Sequence, residues 1–352
     1  MSIEFEKQVM DADAQITEPE KSHLEHLRLA VLSEVELKNL EITPQKKILG
    51  PILTGTIGEV YGPRGIGKTF FRDVISYCAT RGHNMGPLKC ENLAPVLIVD
   101  GEMSLHNLQA RQALADHAGT PLKALDILAN ERLVQTGSPP INLADPEWRD
   151  SFLEFIEAEG ERWDFIIFDN LSALLPGAKE NDSEAWGPVN QFFLRLRWMG
   201  KASMFVHHAG KSGDQRGTSG REDALDYVIK LTLPIGHNPE DGCRFDAELT
   251  KSRSLTGPEA APFTFSILPH PDGGLTWAIT GKREARKEAI IVLLGNGVAQ
   301  REVSDILDID KGYVSRIKAQ AIQQGLLNPR GTNFTDTGRL KFGNVDIAQF
   351  TG

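Results

Sequence analysis

Residues 62–69 read Gly62, Pro63, Arg64, Gly65, Ile66, Gly67, Lys68 and Thr69, between a short apolar run and a helical stretch. A Gly-rich turn so placed fits G-x-x-x-x-G-K-[ST] and dictates strand, loop and helix in that order. Its glycines let backbone N–H groups curl around an anion, and the helix that follows points its positive end at the same place. Lys68 is then expected to reach the outer phosphates of a nucleoside triphosphate, and Thr69 to hold Mg2+. Phe70 completes the expected nucleotide-binding run, and ATP with Mg2+ is the expected ligand.

The same grammar continues along the chain. Apolar runs at 57–61, 96–100, 165–169, 203–207 and 227–233 end in small or acidic residues and lead into helical segments. Runs without polar alternation predict parallel strands covered by helices on both faces. Three further runs, 243–251, 262–268 and 275–280, are separated by Gly, Pro and Asp and predict a meander on one sheet edge. The expected fold is α/β, a doubly wound and mainly parallel sheet with an antiparallel edge. A small all-α, winged helix-turn-helix domain follows it. The expected domains are 1–36, an acidic tail and helix; 37–281, the sheet domain; and 282–352, the helical domain.

Composition narrows the setting. The three cysteines, Cys78, Cys90 and Cys243, lie far apart, which excludes a disulfide framework or a Cys-based zinc site and points to a reducing cytoplasm. No apolar run approaches the roughly 20 residues that cross a bilayer, so no membrane partner is expected. A net charge of −10 argues against coating nucleic acid over the whole surface. The charge is uneven: residues 1–30 hold seven acids and three bases, and residues 282–330 hold nine bases and six acids. Between 21 and 37, Leu24, Leu27, Leu29, Val31, Leu32 and Val35 are spaced for one helix that docks on its own core or on a neighbouring subunit.

A triphosphate site needs an acid for the metal's water shell. Asp169 ends the run 165–169, at the strand end where open α/β sheets place ligands. It also needs a group that orients water. Glu102 follows the run 96–100, with Gly101 expected to let the chain turn it inward; Asp100 is the alternative base, or a cap for a helix over 104–114.

With Leu40, Glu41, Ile42 and Thr43 ahead of the phosphate loop, these residues resemble the RecA-type ATPases, and specifically the RepA-like hexameric replicative helicases of plasmids and phages. The most specific marks are His207-His208-Ala209-Gly210-Lys211 and Gln215-Arg216-Gly217-Thr218-Ser219-Gly220. The resemblance spans about 37–280 and implies a RecA-like fold. It also implies that His207 or His208 senses the γ-phosphate. The basic loop with Lys211, Arg216 and Arg221, and the loop with Lys179, would then face single-stranded DNA in a ring channel. Lys251 and Arg253 correspond to a Lys-x-Arg element that enters the next subunit's site. The expectation is a cytoplasmic, ring-forming ATP-dependent DNA motor, a homo-oligomer and specifically a hexamer, serving replication of a mobile element. Two alternatives stand beside it: a recombination or DNA-loading ATPase forming filaments or partial rings, and a nucleotide-switched, sequence-specific DNA-binding regulator.

After Gly281 the pattern turns helical, at 284–294, 300–307 and 312–324. The last two have helix-turn-helix lengths, with Val303, Ile306, Leu307, Val314 and Ile317 expected inward. Lys311, Tyr313, Ser315, Arg316, Lys318 and Gln320 are expected outward, and Lys311, Arg316 and Lys318 are candidate contacts to duplex DNA.

Overall fold

A computed structural model describes residues 22–112, 114, 118–176, 183–208, 223–234, 237, 242–343 and 345. Contacts divide the chain into two units, Met1–Pro44 and Gln45–Gly352. The first holds α1 (His23–Ala30) and α2 (Glu34–Asn39) rather than the single helix expected over 21–37. The break has a local cause. Ser33 accepts the Glu36 N–H while the Glu36 carboxylate accepts the Ser33 N–H, and Ser22 and Glu25 repeat the pattern. Such a reciprocal box starts a helix from an extended residue, so Ser33 ends continuity with α1. Every described residue of this unit is exposed, including Leu24, Leu27, Leu32 and Val35.

The second unit opens with a small antiparallel pair, β1 (Lys47–Leu49) and β2 (Ile52–Leu53). Its main sheet contains β3 (Ile57–Gly62), β4 (Val96–Asp100), β5 (Leu125–Ala129), β6 (Phe165–Asp169), β7 (Ala202–His208), β8 (Tyr227–Thr232), β9 (Arg244–Ser252), β10 (Phe263–Pro269) and β11 (Leu275–Gly281). Their order is β11-β10-β9-β8-β3-β7-β6-β4-β5. Pairing is parallel from β8 through β5 and antiparallel from β8 out to β11. This is the mainly parallel, RecA-like α/β sheet with an antiparallel edge. Sequence patterning missed only β5 among its nine strands.

Alternate residues of each strand feed two cores, as the two-residue period of a strand requires. Val96, Ile98, Phe165 and Ile167 join the cluster formed with Phe71, Val74 and Ile75 of α3 (Lys68–Arg81). Leu97, Val99, Ile166 and Phe168 join the cluster on the other face. Between α3 and that face's helices run α4 (Leu105–Ala110) and α5 (Asn130–Gln135). The covering helices are α6 (Pro146–Ala158) and α8 (Ser183–Trp198), with α7 (Leu171–Leu174) between them. Phe168 meets Phe192 and Phe193 edge-on, with ring centroids 5.7 and 5.2 Å apart. Such pairs contribute about 0.5–1.5 kcal/mol each beyond the area they bury.

A third cluster holds the C-terminal helices α9 (Lys282–Gly295), α10 (Gln300–Ile306), α11 (Lys311–Gln323) and α12 (Asp336–Phe342). Val303, Leu307, Val314 and Ile317 are buried there, and Ile306 packs at its margin. Between α11 and α12 the chain makes a short hairpin in which Leu327 bridges Phe334.

The topology decides where a ligand can enter. Register pairs Gly62 with His208 and Asp100 with Asp169, so the carboxyl ends of β3, β7, β6 and β4 lie side by side. The chain leaves β3 and crosses past β7 and β6 to reach β4, which makes this edge a switch point of the kind that takes ligands.

Candidate functional site

The phosphate loop joins β3 to α3 through Gly65 at φ 78° and Gly67 at φ 109°. Gly67 has a second constraint, because a Cβ there would stand 2.3 Å from Cys243 Sγ. Lys68 opens α3 and is buried; its ammonium donates to the carbonyls of Gly62 at 2.9 Å and Pro63 at 2.7 Å. Ile66 is buried, while Pro63, Arg64 and Gly65 are exposed. Phe70 is half-buried, with the Arg111 guanidinium 4.2 Å above its ring.

Thr69, Asp100, Glu102, Met103, Asn107, Arg111 and Asp169 line a pocket of about 320 Å³ beside the loop. Asp169 is buried at the end of β6, and burial pushes its carboxyl up to about 6 even though Arg72 pulls it down. Asp100 is held from both sides. One oxygen accepts Arg72 Nη1 at 2.6 Å, and the other accepts the N–H groups of Glu102 at 3.0 Å and Met103 at 2.7 Å. The helix that follows is capped by Ser104, not by Asp100. Glu102 is exposed and accepts a hydrogen bond from the Asn170 side chain. Gly101 serves close packing and not a left-handed turn: a Cβ there would meet Leu174 Cδ2 at 2.7 Å.

Other sequence candidates fall in separate places. His207 is buried and His208 half-buried, paired in register with Tyr61 and Gly62 beside the loop. Lys251 pairs with Val228 near the start of β8, and the Arg253 N–H donates to the Asp226 carbonyl at 2.9 Å. The Arg253 guanidinium binds the Asp226 carboxylate at 3.3 Å and the Asp223 carbonyl at 2.8 Å. Asp226 also accepts the Ile57 N–H at 2.8 Å. Ile57 begins β3 and Gly62 ends it, so Arg253 stands at the opposite end of that strand from its own phosphate loop. Lys179, Lys211, Arg216 and Arg221 lie outside the described residues. Lys311 and Arg316 are exposed on α11; Tyr313 and Lys318 are half-buried instead of fully outward. The Lys318 stem lies on Gly331, where a Cβ would be 2.2 Å from its Cε.

Sequence reasoning missed Arg72, Asp73, Arg111 and Asn170. A signal was present: Arg72 follows Lys68 by one helical turn, inside the apolar run that α3 buries. A charge so placed demands buried partners.

Among the described residues, no three or more His, Cys, Asp or Glu side chains converge to hold a metal ion by themselves. Mg2+ at a nucleotide site needs only one or two protein oxygens, with phosphates and water completing its shell. Thr69 and Asp169, which both line the pocket, fit that role.

The arrangement can therefore seat phosphates on a helix N-terminus and a buried ammonium, with acids beside them for a metal ion. Burial pushes the Lys68 ammonium down to about 8, against the Asp169 and Glu102 carboxylates that hold it up. The charged form attracts phosphate and is lost as pH rises through that value. Affinity for a non-hydrolysable ATP analogue without metal is expected to fall as pH rises above about 8, by up to about tenfold per pH unit. Calorimetric titration across that range checks it, and an unbroken profile well into the alkaline range counts against a role for this ammonium.

No helix among the described residues is long and apolar enough to cross a membrane. A search of curated proteins finds no match. The model of an AAA domain family matches residues 19–214, more than half of the 352 residues, and covers the phosphate loop, the Asp100–Glu102 turn, Asp169 and both histidines. The chain belongs to that AAA domain family and is a P-loop ATPase.

Proposed function

We propose that this ATPase is a ring-forming motor, a hexamer of the RepA-like helicase type, that moves along single-stranded DNA in the cytoplasm during replication of a mobile element. One observation carries the assembly part: Lys68, Asp169 and Glu102 lie at the carboxyl ends of the parallel strands, and Arg253 lies at their amino ends. Arg253 can then serve a phosphoryl-transfer site only in a second copy. The exposed apolar side chains of α1 and α2 support the same reading, since such surface calls for a partner.

Residue by residue, Lys68 holds the β- and γ-phosphate oxygens, and Thr69 and Asp169 hold the metal with its water. Mg2+ bound there supplies charge neutralisation at the reacting phosphate. Glu102, steadied by Asn170, orients the attacking water and takes its proton. His207 or His208, next to the first loop glycine, relays the state of the γ-phosphate into the chain that follows β7. Arg253 of one copy neutralises charge on the phosphoryl group held by its neighbour. The direct test pairs mass in solution, with Mg2+ and a non-hydrolysable analogue, with ATPase rates with and without single-stranded DNA. A monomer under those conditions, or a rate indifferent to DNA, refutes the motor but leaves the ATPase.

The C-terminal helices favour a second reading as a DNA-loading or sequence-specific DNA-binding ATPase. The exposed face of α11 carries Lys311, Ser315 and Arg316, and the Leu327–Phe334 hairpin packs beside it through Gly331 on Lys318. This supports a winged helix-turn-helix contact with duplex DNA. Arg316→Ala is expected to weaken duplex binding by about 1–3 kcal/mol, whether through base or phosphate contact, with basal ATPase activity unchanged. Fluorescence anisotropy with duplex and single-stranded probes reads this out, and equal loss on both probes removes the duplex assignment.

A further inference from the structure

Arg72 lies one turn beyond Lys68 on α3, and its side chain is 1% exposed. Its Nε and Nη2 donate to Asp73 Oδ1 at 3.0 and 2.7 Å. Its Nη1 lies 2.6 Å from Asp100 Oδ2 and 2.9 Å from Asp169 Oδ2. One guanidinium thus ties the phosphate-loop helix to the carboxyl ends of two neighbouring strands. Burial works against its charge, but Asp73, Asp169 and Asp100 outweigh that and keep it cationic.

The three acids are engaged unequally. Asp73 is doubly bound, by Arg72 and by Arg111 at 3.3 Å. Asp100 has both oxygens engaged, as described above. From Asp169, Arg72 takes Oδ2, and the residue lines the pocket shared with Thr69. Asp73 and Asp100 fix the plane of the fork, and the fork then fixes the direction of the Asp169 carboxylate. Lysine cannot substitute, because a single ammonium has no rigid plane to transmit.

We propose that Arg72 is a positioning residue for the magnesium site: its fork, anchored by Asp73 and Asp100, holds Asp169 turned toward Thr69. The inference rests on the reading of this pocket as the Mg-nucleotide site. It extends that reading to a buried residue outside the phosphate loop that does not line the pocket. Loss of the fork leaves the loop and Lys68 in place and acts on the metal. Partners at this remove from a metal ordinarily matter by about 10–100-fold in metal affinity.

The test uses the full-length protein, a non-hydrolysable ATP analogue, and Mn2+ as a spectroscopic stand-in for Mg2+. Analogue affinity is measured in EDTA, and Mn2+ affinity of the analogue complex by paramagnetic resonance. Arg72→Lys is expected to leave EDTA binding close to wild type and to weaken Mn2+ by about 10–100-fold. Unchanged Mn2+ affinity overturns the proposal, and so does an equal fall in metal-free binding, which marks a merely structural role. Should Arg72→Lys fail to fold, Asp73→Ala keeps the cation and removes its anchor. It is expected to weaken Mn2+ in the same direction, by about threefold or more, and no change there also overturns the proposal. Failure of the wild-type protein to bind the analogue at all refutes the nucleotide reading itself, and the wild-type arm shows this before any variant is made.

Discussion

Glu102→Gln is expected to lower kcat for ATP hydrolysis by about 100- to 10,000-fold while affinity for a non-hydrolysable analogue stays near wild type. Two carboxylates end this turn, and their surroundings separate them. Asp100 is buried against Arg72, and its second oxygen already accepts two backbone N–H groups. A base must have a free lone pair directed at water, and Asp100 has its oxygens committed to structure. Glu102 is exposed on the pocket wall, with the Asn170 amide holding one oxygen. A glutamine amide in its place keeps the shape and loses the basicity. Asp100→Asn makes the contrast, because it takes one charge from a buried ion-pair cluster. Its expected effect is a lower Tm, from a loss of up to about 3–5 kcal/mol, ahead of any specific kinetic defect. Single-turnover hydrolysis and thermal unfolding of both variants decide the matter. Wild-type turnover in Glu102→Gln, with collapse in a well-folded Asp100→Asn, reverses the assignment.

Much of this site was legible because its chemistry follows strand ends. The runs at 96–100 and 165–169 coincide with β4 and β6, and their last residues are the acids that meet beside the loop. What escaped did so for identifiable reasons. Leu125–Ala129 forms β5, but it is an edge strand with Ile127 exposed and Asp126 within it, so no long apolar run announces it. The break between α1 and α2 was written twice, as Ser22 to Glu25 and Ser33 to Glu36, but apolar spacing alone runs through it. Arg72 escaped because its partners lie on β4 and β6, far away in sequence; only the fold brings Asp100 and Asp169 under one guanidinium. Gly101 was read for its backbone freedom, whereas the adjoining Leu174 side chain is what forbids a larger residue. Periodicity reports which residues are buried, and it is silent on which buried charges meet.

Arg253→Ala is expected to reduce hydrolysis by about 1,000-fold or more, with analogue binding retained. Within its own chain Arg253 makes an exposed ion pair with Asp226, and such a pair contributes at most about 1 kcal/mol. Asp226 keeps Arg197 and the Ile57 N–H when that pair is lost, so the fold has little reason to fail. Stability therefore predicts a nearly silent substitution, and catalysis in trans predicts a nearly dead enzyme. Mixing separates the two further. Lys68→Ala removes the phosphate ligand from one site and leaves that copy's Arg253 intact; Arg253→Ala does the reverse. When equal amounts of the two inactive proteins co-assemble at random, about a quarter of the interfaces regain both halves in a closed ring. Turnover should reappear on mixing, rise with total protein concentration, and vanish when Lys68→Ala is replaced by the Lys68→Ala, Arg253→Ala double variant. Full activity of Arg253→Ala alone, or a mixture that stays inactive while its subunits demonstrably exchange, places the arginine outside the reaction and removes the reason for a ring.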